Sequence, residues 1–378
     1  MTLVPLMTLE ELILSCGSIL ILLWTWRLNH WPTSFPRNEN QNMDLFLAVG
    51  LCMVVVTACS ISPVTRPGLL NRHQTNEWKG WMQLIFLLYH YYRATWVYNE
   101  VRVFVSCYMW LTGFGNFMYF TKKKDFSFGR VMSTLIRINL LTVGLMLVHG
   151  TSVMLYYVVP LHTGFFLLTW ISCWCIERTG RPKTILLATL VFLIFVFEWW
   201  KPFQGDVAFR FGLDRYSTWW GMVCAYVQIN HSLSIHYGVA LLIGIACCSI
   251  WYVLWGHLSD KYRYNPYHPY IVILPIVGYI AIRNCHPVLR KHYSKGLAWV
   301  GGVTLETYVL QFHILMCRNV QHILVLIPGF EVFNTCVVSV LFFAVSYMAR
   351  EITVRIQLRV TELLKSNPVY LPVQQNSS

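Results

Sequence analysis

Long apolar stretches recur along nearly the whole sequence, and their length limits what the chain can fold into. Most have the roughly 17–25 residues that an α-helix needs to cross the hydrocarbon core of a bilayer. They lie at about 12–27, 44–63, 78–98, 101–120, 131–150, 152–176, 184–200, 216–230, 235–256, 268–283, 296–316 and 334–350. The chain is 56% hydrophobic and only 12% charged, whereas soluble domains carry about 25% charged residues. These stretches predict a membrane protein.

We expect the spans to be helices, because a bilayer offers no water to unpaired backbone groups and the sequence lacks the alternation typical of a membrane barrel. The prediction is an all-α, polytopic membrane protein of about 11–12 transmembrane helices around a polar interior cavity. It divides into an N-terminal membrane anchor with a short lumenal loop (1–43), a multi-pass domain (44–350) and a polar C-terminal tail (351–378).

Lys and Arg are distributed unequally between the loops on the two sides of the predicted spans. The richer side, which includes Lys122, Lys123, Lys124 and Arg130, is expected to be cytosolic, and both termini would lie there. The net charge of +13 agrees with this bias and with binding of anionic head groups or phosphates, so no nucleic acid partner is expected. The twelve cysteines form no paired CxxC motif, and no metal site is predicted.

Polar residues form a stripe on the apolar stretch that begins near residue 72. At the ~100° per residue of an α-helix, one side carries Asn76, Lys79, Gln83, His90 and Arg93. An ionisable group at mid-membrane costs about 2.5–3.5 kcal/mol, so it normally faces a partner or a water-filled cavity. The stripe therefore indicates a lined passage. Hydrogen bonding between helices, with Lys79 anchored at the interface, is the alternative.

The stretch at 296–316 carries a second pair of polar residues. Glu306 and His313 are separated by two helical turns, which on a continuous helix places them on one face. A carboxylate and an imidazole there can face the same cavity, whereas a lone membrane histidine is usually structural.

Two arginines, Arg130 and Arg137, lie on one face where a predicted span enters from the cytosolic side. Arginine forks match phosphate oxygens, so Arg130 and Arg137, with Lys122, Lys123 and Lys124, are candidates for holding a phosphorylated donor. A positive anchor at the membrane surface explains Arg130 equally well.

A series of long motifs occurs in order between about residues 70 and 330. They are QTNEWKGWMQLIFLLYHYY, YNEVRVFVSCYMWLTGFGNFMYF, KKDFSFGR, VVPLHTGF, FGLDRYSTWWGM, NPYHPY, IRNCHP, TLETYVLQFHI and LVLIPG. In these motifs the chain resembles the multi-pass polysaccharide and sialic-acid O-acetyltransferases, which include plant reduced-wall-acetylation proteins and the fungal capsule O-acetyltransferase. The resemblance identifies 44–350 as an acyltransferase domain.

The resemblance implies that acetyl groups move from cytosolic acetyl-CoA, a donor substrate rather than a bound cofactor, to lumenal glycan or polysaccharide hydroxyls across a Golgi membrane. Some family members carry a serine-hydrolase-like domain between the first two spans. Here residues 28–43 join those spans directly, so a separate lumenal acetyltransferase is the implied partner. Transfer completed by this chain alone is an alternative.

Histidines are the first candidates for the chemistry, because a neutral imidazole can attack a thioester or act as general base for an acceptor hydroxyl. Glu306 would orient His313 or offset its charge, and Lys79 or Arg215 would stabilise an oxyanion. An ion pair between Asp214 and Arg215 is the commoner interpretation of those neighbours. The candidate catalytic residues are His90, His313, His162, Glu306, Lys79, Asp214 and Arg215.

A transporter that carries an acetyl donor without bond chemistry is the alternative from another class. Such proteins often show inverted repeats and helices broken at matching Gly or Pro positions. We find no such repeat in the sequence.

Overall fold

The computed structural model describes residues 9–37, 42–64, 69–231 and 236–366. These residues form two compact units. Unit 1 takes its described residues from Met1–Asn40, Asp125–Val159 and Leu305–Ser378, and unit 2 takes them from Gln41–Lys124 and Pro160–Thr304. Each unit therefore combines segments that are distant in sequence. The division at residues 43 and 350 stays a prediction.

Helices dominate both units. In chain order the helices are α1 (Leu9–Asn29), α2 (Met43–Cys59), α3 (Arg72–Tyr91), α4 (Tyr98–Lys123), α5 (Phe128–His149), α6 (Val158–Thr179), α7 (Pro182–Ile194), α8 (Gly205–Leu213), α9 (Ser217–Asn230), α10 (Tyr237–Trp251), α11 (Lys261–Tyr264), α12 (His268–Ile271), α13 (Ile273–Arg283), α14 (Pro287–Lys291), α15 (Lys295–Gly302), α16 (Thr304–Leu310) and α17 (Glu331–Ser366). Short 3₁₀ turns cover Thr95–Val97 and Val153–Tyr156, and π-helical turns extend α7 and α10 over Phe195–Trp200 and Tyr252–Gly256.

Five short strands complete the secondary structure of the described residues: β1 (Ser34–Pro36), β2 (Ile61–Pro63), β3 (His292–Ser294), β4 (Met316–Cys317) and β5 (His322–Leu324). In unit 1, β5 lies between β1 and β4, and both pairings are antiparallel. In unit 2, β2 pairs with β3. The strands are too short to form a layer, so the fold remains that of a helical protein.

Six helical stretches among the described residues are long and apolar enough to cross a bilayer: Glu10–Asn29, Phe128–His149, Val158–Thr179, Pro182–Trp200, Tyr237–Gly256 and Glu331–Leu363. Met43–Cys59 and His268–Arg283 are shorter apolar stretches. Leu147 is 80% exposed and Val340 is 72% exposed, which suits lipid rather than water. The all-α polytopic prediction is confirmed, whereas the number of spans and the interior cavity stay predictions.

One predicted span is shorter than its apolar stretch. A continuous helix over 78–98 is wrong, because α3 ends at Tyr91 and Arg93 adopts a left-handed φ of 48°. The 3₁₀ turn then leads into α4. Arg93 therefore lies outside the helix that was expected to carry the polar stripe.

Glycines allow close helix packing in unit 2, where α3 packs on α15 and α4 packs on α9. A Cβ atom added to Gly80 of α3 would lie 1.9 Å from the carbonyl oxygen of Leu297. A Cβ atom on Gly221 of α9 would lie 2.1 Å from the carbonyl oxygen of Trp110. Small residues are typical of membrane helix interfaces because they let the backbones approach.

In unit 1, α5 and α17 pack together and both contact α1. Leu28, Leu145 and Phe342, one from each helix, are buried in this core. The core also holds the side chains that form the candidate site described next.

Candidate active site

The predicted helix over 296–316 is interrupted twice. α15 ends at Gly302, and α16 ends at Leu310. The N–H of His313 then donates to the carbonyl oxygen of Leu310 at 3.0 Å, in a turn that leads into β4. The prediction that Glu306 and His313 share a helical face is therefore wrong, because the helix ends before it reaches His313.

Glu306 pairs with Arg137. Glu306 is fully buried, and its Oε1 lies 2.6 Å from Nη1 of Arg137. Thr353 donates to the same oxygen at 3.5 Å. No hydrogen bond joins Glu306 to His313 in the described part of the chain, so the orienting role of Glu306 stays a prediction. Arg137 is already engaged by a carboxylate, and its contact with a donor phosphate likewise stays a prediction.

His313 lies against a second histidine, His149. The two imidazole rings are stacked, with centroids 3.9 Å apart and planes 21° apart. The hydroxyl of Tyr156 lies 2.5 Å from Nε2 of His313, and Thr25 Oγ1 lies 3.2 Å from Nε2 of His149. Thr25, Tyr156 and His313 are at most 2% exposed. We call His149, His313, Tyr156 and Thr25 the histidine site; all four belong to unit 1.

Local backbone structure positions these side chains. α5 ends at His149 because Gly150 adopts a left-handed φ of 63°, and its N–H donates to the carbonyl oxygen of Met146 at 2.9 Å. Ser152 accepts a hydrogen bond from the backbone N–H of Met154 and so begins the 3₁₀ turn that ends at Tyr156. On the other side, the pairing of β4 with β5 holds the segment that follows His313.

Two ring nitrogens in the histidine site lack partners. Nδ1 of His149 and Nδ1 of His313 are both buried, and neither forms a hydrogen bond with any described residue. Buried polar atoms in proteins are nearly always hydrogen-bonded, so exceptions call for an explanation such as a functional role. Each of the two nitrogens therefore keeps an unused capacity for one hydrogen bond.

Asp214 belongs to a second buried cluster, which lies wholly within unit 2. Its carboxylate pairs with Arg102 and accepts a hydrogen bond from Ser106 at 2.5 Å. Ser106 Oγ also lies 2.8 Å from Nε2 of His268, and the hydroxyl of Tyr264 lies 2.9 Å from Nδ1 of the same ring. We call these five residues the Asp214 cluster. None of them is more than 4% exposed.

The proton positions in the Asp214 cluster favour a structural role. Ser106 has one hydroxyl proton, which it donates to the Asp214 carboxylate. His268 Nε2–H then donates to Ser106, and Tyr264 donates to His268 Nδ1. Both nitrogens of His268 are thereby used, so the ring has no free lone pair with which to activate the serine. The catalytic role of Asp214 stays a prediction.

The expected ion pair between Asp214 and Arg215 is wrong, because the two neighbours have different partners. Nη2 of Arg215 lies 2.7 Å from Oε1 of Glu198 and donates to the hydroxyl of Tyr270 at 2.7 Å. The Arg215 guanidinium also lies over the Tyr270 ring, 4.9 Å from its centroid. Its proposed contact with an oxyanion stays a prediction.

His90, His162 and Lys79 lie in unit 2. His90 Nδ1 is 3.1 Å from the carbonyl oxygen of Phe86 on its own helix. His162 Nδ1 is 2.7 Å from Thr112 Oγ1. Lys79 is half-buried, and its carbonyl oxygen accepts from Tyr108 at 2.9 Å. The catalytic roles of all three stay predictions. His90 and His313 fall in different units.

The basic residues proposed for the donor differ in their surroundings. Lys122, Lys123 and Lys124 are exposed at the end of α4 in unit 2. Lys124 pairs with Glu177 at 2.8 Å. Arg130 is half-buried in the first turn of α5 in unit 1. Their contact with a phosphorylated donor stays a prediction.

Sequence reasoning missed most of both buried clusters. His149 lies at the end of the apolar stretch 131–150, and His268 lies in the motif NPYHPY, yet neither was a candidate. Tyr156 and His313 are 157 positions apart, so no local spacing could have paired them. The available signal was the presence of a histidine in an apolar environment.

Most of the chain matches a known family. Two overlapping segments, residues 33–197 and 183–363, match the family described as the 10 TM acyl transferase domain found in Cas1p. The chain belongs to this acyltransferase family. The resemblance to multi-pass polysaccharide and sialic-acid O-acetyltransferases is confirmed. The family's description gives ten transmembrane spans, whereas the sequence has twelve apolar stretches.

One relative of this acyltransferase is the N-acetylneuraminate (7)9-O-acetyltransferase of Danio rerio. The two proteins are 34% identical over 332 residues, which cover 75% of this chain and 42% of the relative. The chain thus spans less than half the length of this curated relative. No solved structure matches the chain.

Proposed function

We propose that this chain is a membrane O-acetyltransferase that moves acetyl groups from cytosolic acetyl-CoA to hydroxyls of lumenal glycans. Membership of the acyltransferase family supports the reaction class, and the name of the Danio rerio relative makes N-acetylneuraminate the first acceptor to test. The observation that carries the proposal is the histidine site. Both of its imidazoles lie within the matched segments, and each has one buried nitrogen without a partner among the described residues.

Transfer of an acetyl group from a thioester to a hydroxyl has two requirements that the histidine site can meet. A base must take the hydroxyl proton, and a donor must stabilise the negative charge that develops on the carbonyl oxygen. A neutral imidazole can perform either task, depending on which of its nitrogens carries the proton. Two stacked imidazoles in one site can therefore supply both groups.

Acetyl-CoA carries several phosphates, and they would first bind on the cytosolic side of the membrane. Lys122 and Lys123 are exposed at the end of α4, where ammonium groups can contact phosphate oxygens as point charges. Arg130, near the start of α5 in unit 1, is a separate candidate for contact with a phosphate. The donor would then move inward, because His149 lies at the opposite end of α5 from Arg130, about 29 Å along the helix.

The family resemblance supports a location and a partner for the protein. The protein would reside in a Golgi membrane with both termini in the cytosol. A separate lumenal acetyltransferase would accept the acetyl group and complete the transfer to the glycan. Transfer by this chain alone is the competing version, and a purified protein distinguishes the two.

The test uses the purified full chain in sealed liposomes, with radiolabelled acetyl-CoA outside and N-acetylneuraminate inside. With a lumenal acetyltransferase enclosed in the liposomes, we expect labelled O-acetyl sialate to form with the wild type and to be lost in His313→Ala. His90→Ala tests the other leading histidine. His257→Ala serves as the control, because His257 is exposed and its ring Nδ1 lies 3.1 Å from the nearby carbonyl oxygen of Tyr252.

The same experiment separates the remaining possibilities. Product formed without another protein would show that the chain completes the transfer. Labelled O-acetyl sialate that forms only when a lumenal acetyltransferase is enclosed in the liposomes would support a two-protein route. Intact acetyl-CoA inside the liposomes, without an acetylated product in either case, would overturn the enzymatic proposal in favour of a transporter.

A further inference from the structure

The hydrogen bonds of Thr25 determine which nitrogen of His149 carries the proton. Thr25 Oγ1 lies 2.7 Å from the carbonyl oxygen of Leu22, which can only accept. The single hydroxyl proton of Thr25 is therefore used in that bond. At the 3.2 Å contact between Thr25 Oγ1 and His149 Nε2, the imidazole must be the donor. A neutral His149 then has its proton on Nε2 and a lone pair on the unpartnered Nδ1.

The opposite assignment applies to His313. The Tyr156 hydroxyl lies 2.5 Å from Nε2 of His313 and 3.1 Å from Thr151 Oγ1. Thr151 can donate its own hydroxyl proton to the Tyr156 oxygen, which leaves the single proton of Tyr156 for Nε2 of His313. With that assignment, Tyr156 is the donor to His313 Nε2. A neutral His313 then carries its proton on Nδ1, which has no partner among the described residues.

The stacked pair thus presents two different groups. His149 has a free lone pair on Nδ1, and His313 has a free N–H on Nδ1. Since the ring centroids are 3.9 Å apart, each atom of one ring lies within a few ångströms of the other ring. The two unpartnered Nδ1 atoms are therefore only a few ångströms apart.

We infer that His149 is the general base and that His313 is the hydrogen-bond donor for the transition state. This inference rests on the proposed function and names a catalytic residue, His149, that sequence reasoning did not identify. It also restricts His313, because Tyr156 occupies its Nε2 lone pair and a proton occupies its Nδ1. In this hydrogen-bonded state His313 has no lone pair with which to attack the acetyl group.

The reaction step balances without another reactant. The acceptor hydroxyl oxygen attacks the acetyl carbonyl carbon of acetyl-CoA, and its proton moves to Nδ1 of His149. His313 Nδ1–H donates to the carbonyl oxygen while that oxygen carries the negative charge. The carbon–sulfur bond then breaks, and the His149 imidazolium returns the proton to the departing sulfur. The products are the O-acetyl ester and free CoA, and both histidines are restored.

Thr25 and Tyr156 are positioning residues in this scheme. Thr25 holds His149 with its proton on Nε2, and Tyr156 holds His313 with its proton on Nδ1. Neither needs to touch the substrate. Their effect is exerted through the imidazole that each one binds.

The test compares Asn and Leu at each histidine in the full chain, with acetyl-CoA and N-acetylneuraminate as substrates. The amide nitrogen of Asn is as many bonds from Cα as Nδ1 of His, so Asn can replace a donor at Nδ1 but not a base. We expect His313→Asn to keep at least ten times the kcat of His313→Leu. We expect His149→Asn and His149→Leu to be equally impaired, by about 10²–10⁴-fold.

Two variants of Thr25 test the inference even if the histidine variants do not fold. Thr25→Ser keeps the hydroxyl that accepts from His149, whereas Thr25→Val removes it. We expect Thr25→Ser to match the wild type and Thr25→Val to lower kcat several-fold at unchanged KM. Equal kcat for these two folded variants, or His149→Asn more active than His313→Asn, would overturn the inference. Absence of acetyl transfer by the wild type, both with and without an enclosed lumenal acetyltransferase, would instead overturn the proposed function.

Discussion

Glu306 and Arg137 form an ion pair with 2.6 Å between Oε1 and Nη1, and the Glu306 side chain is completely buried whereas that of Arg137 is 21% exposed. The pair joins α16 to α5 within unit 1. A buried ion pair adds little net stability compared with apolar residues, but loss of one partner leaves an uncompensated charge. The effect of replacing either residue on the stability of the protein should therefore depend on whether the other is still present.

Replacement of Arg137 by Met should destabilise the protein strongly. The Glu306 carboxylate would remain buried without its cation, at a cost of about 3–5 kcal/mol in the free energy of unfolding. The thermal midpoint of the purified protein in detergent would report this loss. The double variant with Glu306→Gln should recover much of the lost stability, because it removes the unpaired charge.

A different result would change the interpretation of Arg137. If Arg137→Met kept its thermal midpoint and raised KM for acetyl-CoA, the arginine would act on the donor phosphates, as its spacing from Arg130 predicts. In that case the double variant would be no more stable than Arg137→Met alone.

Asp214→Asn should destabilise unit 2 by a similar mechanism. The variant keeps the side-chain shape but leaves Arg102, which is 4% exposed, without its carboxylate. We expect a loss of about 3–5 kcal/mol, measured as a lower thermal midpoint. Asp206→Asn is the control, because Asp206 is exposed in the first turn of α8 and should lose at most about 1 kcal/mol. Equal midpoints for the two variants would show that the Asp214 cluster does not stabilise the fold.

Gly80→Ala should separate α3 from α15. The added Cβ would lie 1.9 Å from the carbonyl oxygen of Leu297, so the helices must move apart at a cost of about 1–3 kcal/mol. Gly115→Ala on α4 is the matched control, since nothing lies within 4 Å of its Cβ. Alanine there should raise helix stability by up to about 1 kcal/mol. A higher thermal midpoint for Gly80→Ala than for Gly115→Ala would contradict the packing described for α3 and α15.

The positions of the helices could be predicted because the signal is local. The apolar stretch at 131–150 closely matches α5 at Phe128–His149, and the stretch at 235–256 matches α10 with its π-helical turn. Each of these helices is specified by a run of apolar residues of the required length. Such a run can be read without knowledge of the rest of the fold.

The ends of some helices and the partners of the polar residues could not be predicted. α16 ends at Leu310 within an apolar sequence, where the chain turns to pair β4 with β5. Asp214 pairs with Arg102, which is 112 positions away, rather than with its neighbour Arg215. These contacts depend on tertiary packing, which residue spacing does not report. Helical extrapolation from Glu306 to His313 failed for the same reason.

The exposed lysines at the end of α4 offer a test of donor binding that leaves the buried sites intact. Lys122→Ala and Lys123→Ala together should raise KM for acetyl-CoA several-fold and leave kcat nearly unchanged. The reason is that contacts with the donor phosphates stabilise the substrate complex and the transition state equally. Steady-state kinetics at varied acetyl-CoA concentration provide the measurement. Lys183→Ala is the control, since Lys183 is also exposed. Equal KM values for the double variant and the control would place the phosphates elsewhere, and a fall in kcat alone would imply that the lysines affect the chemical step.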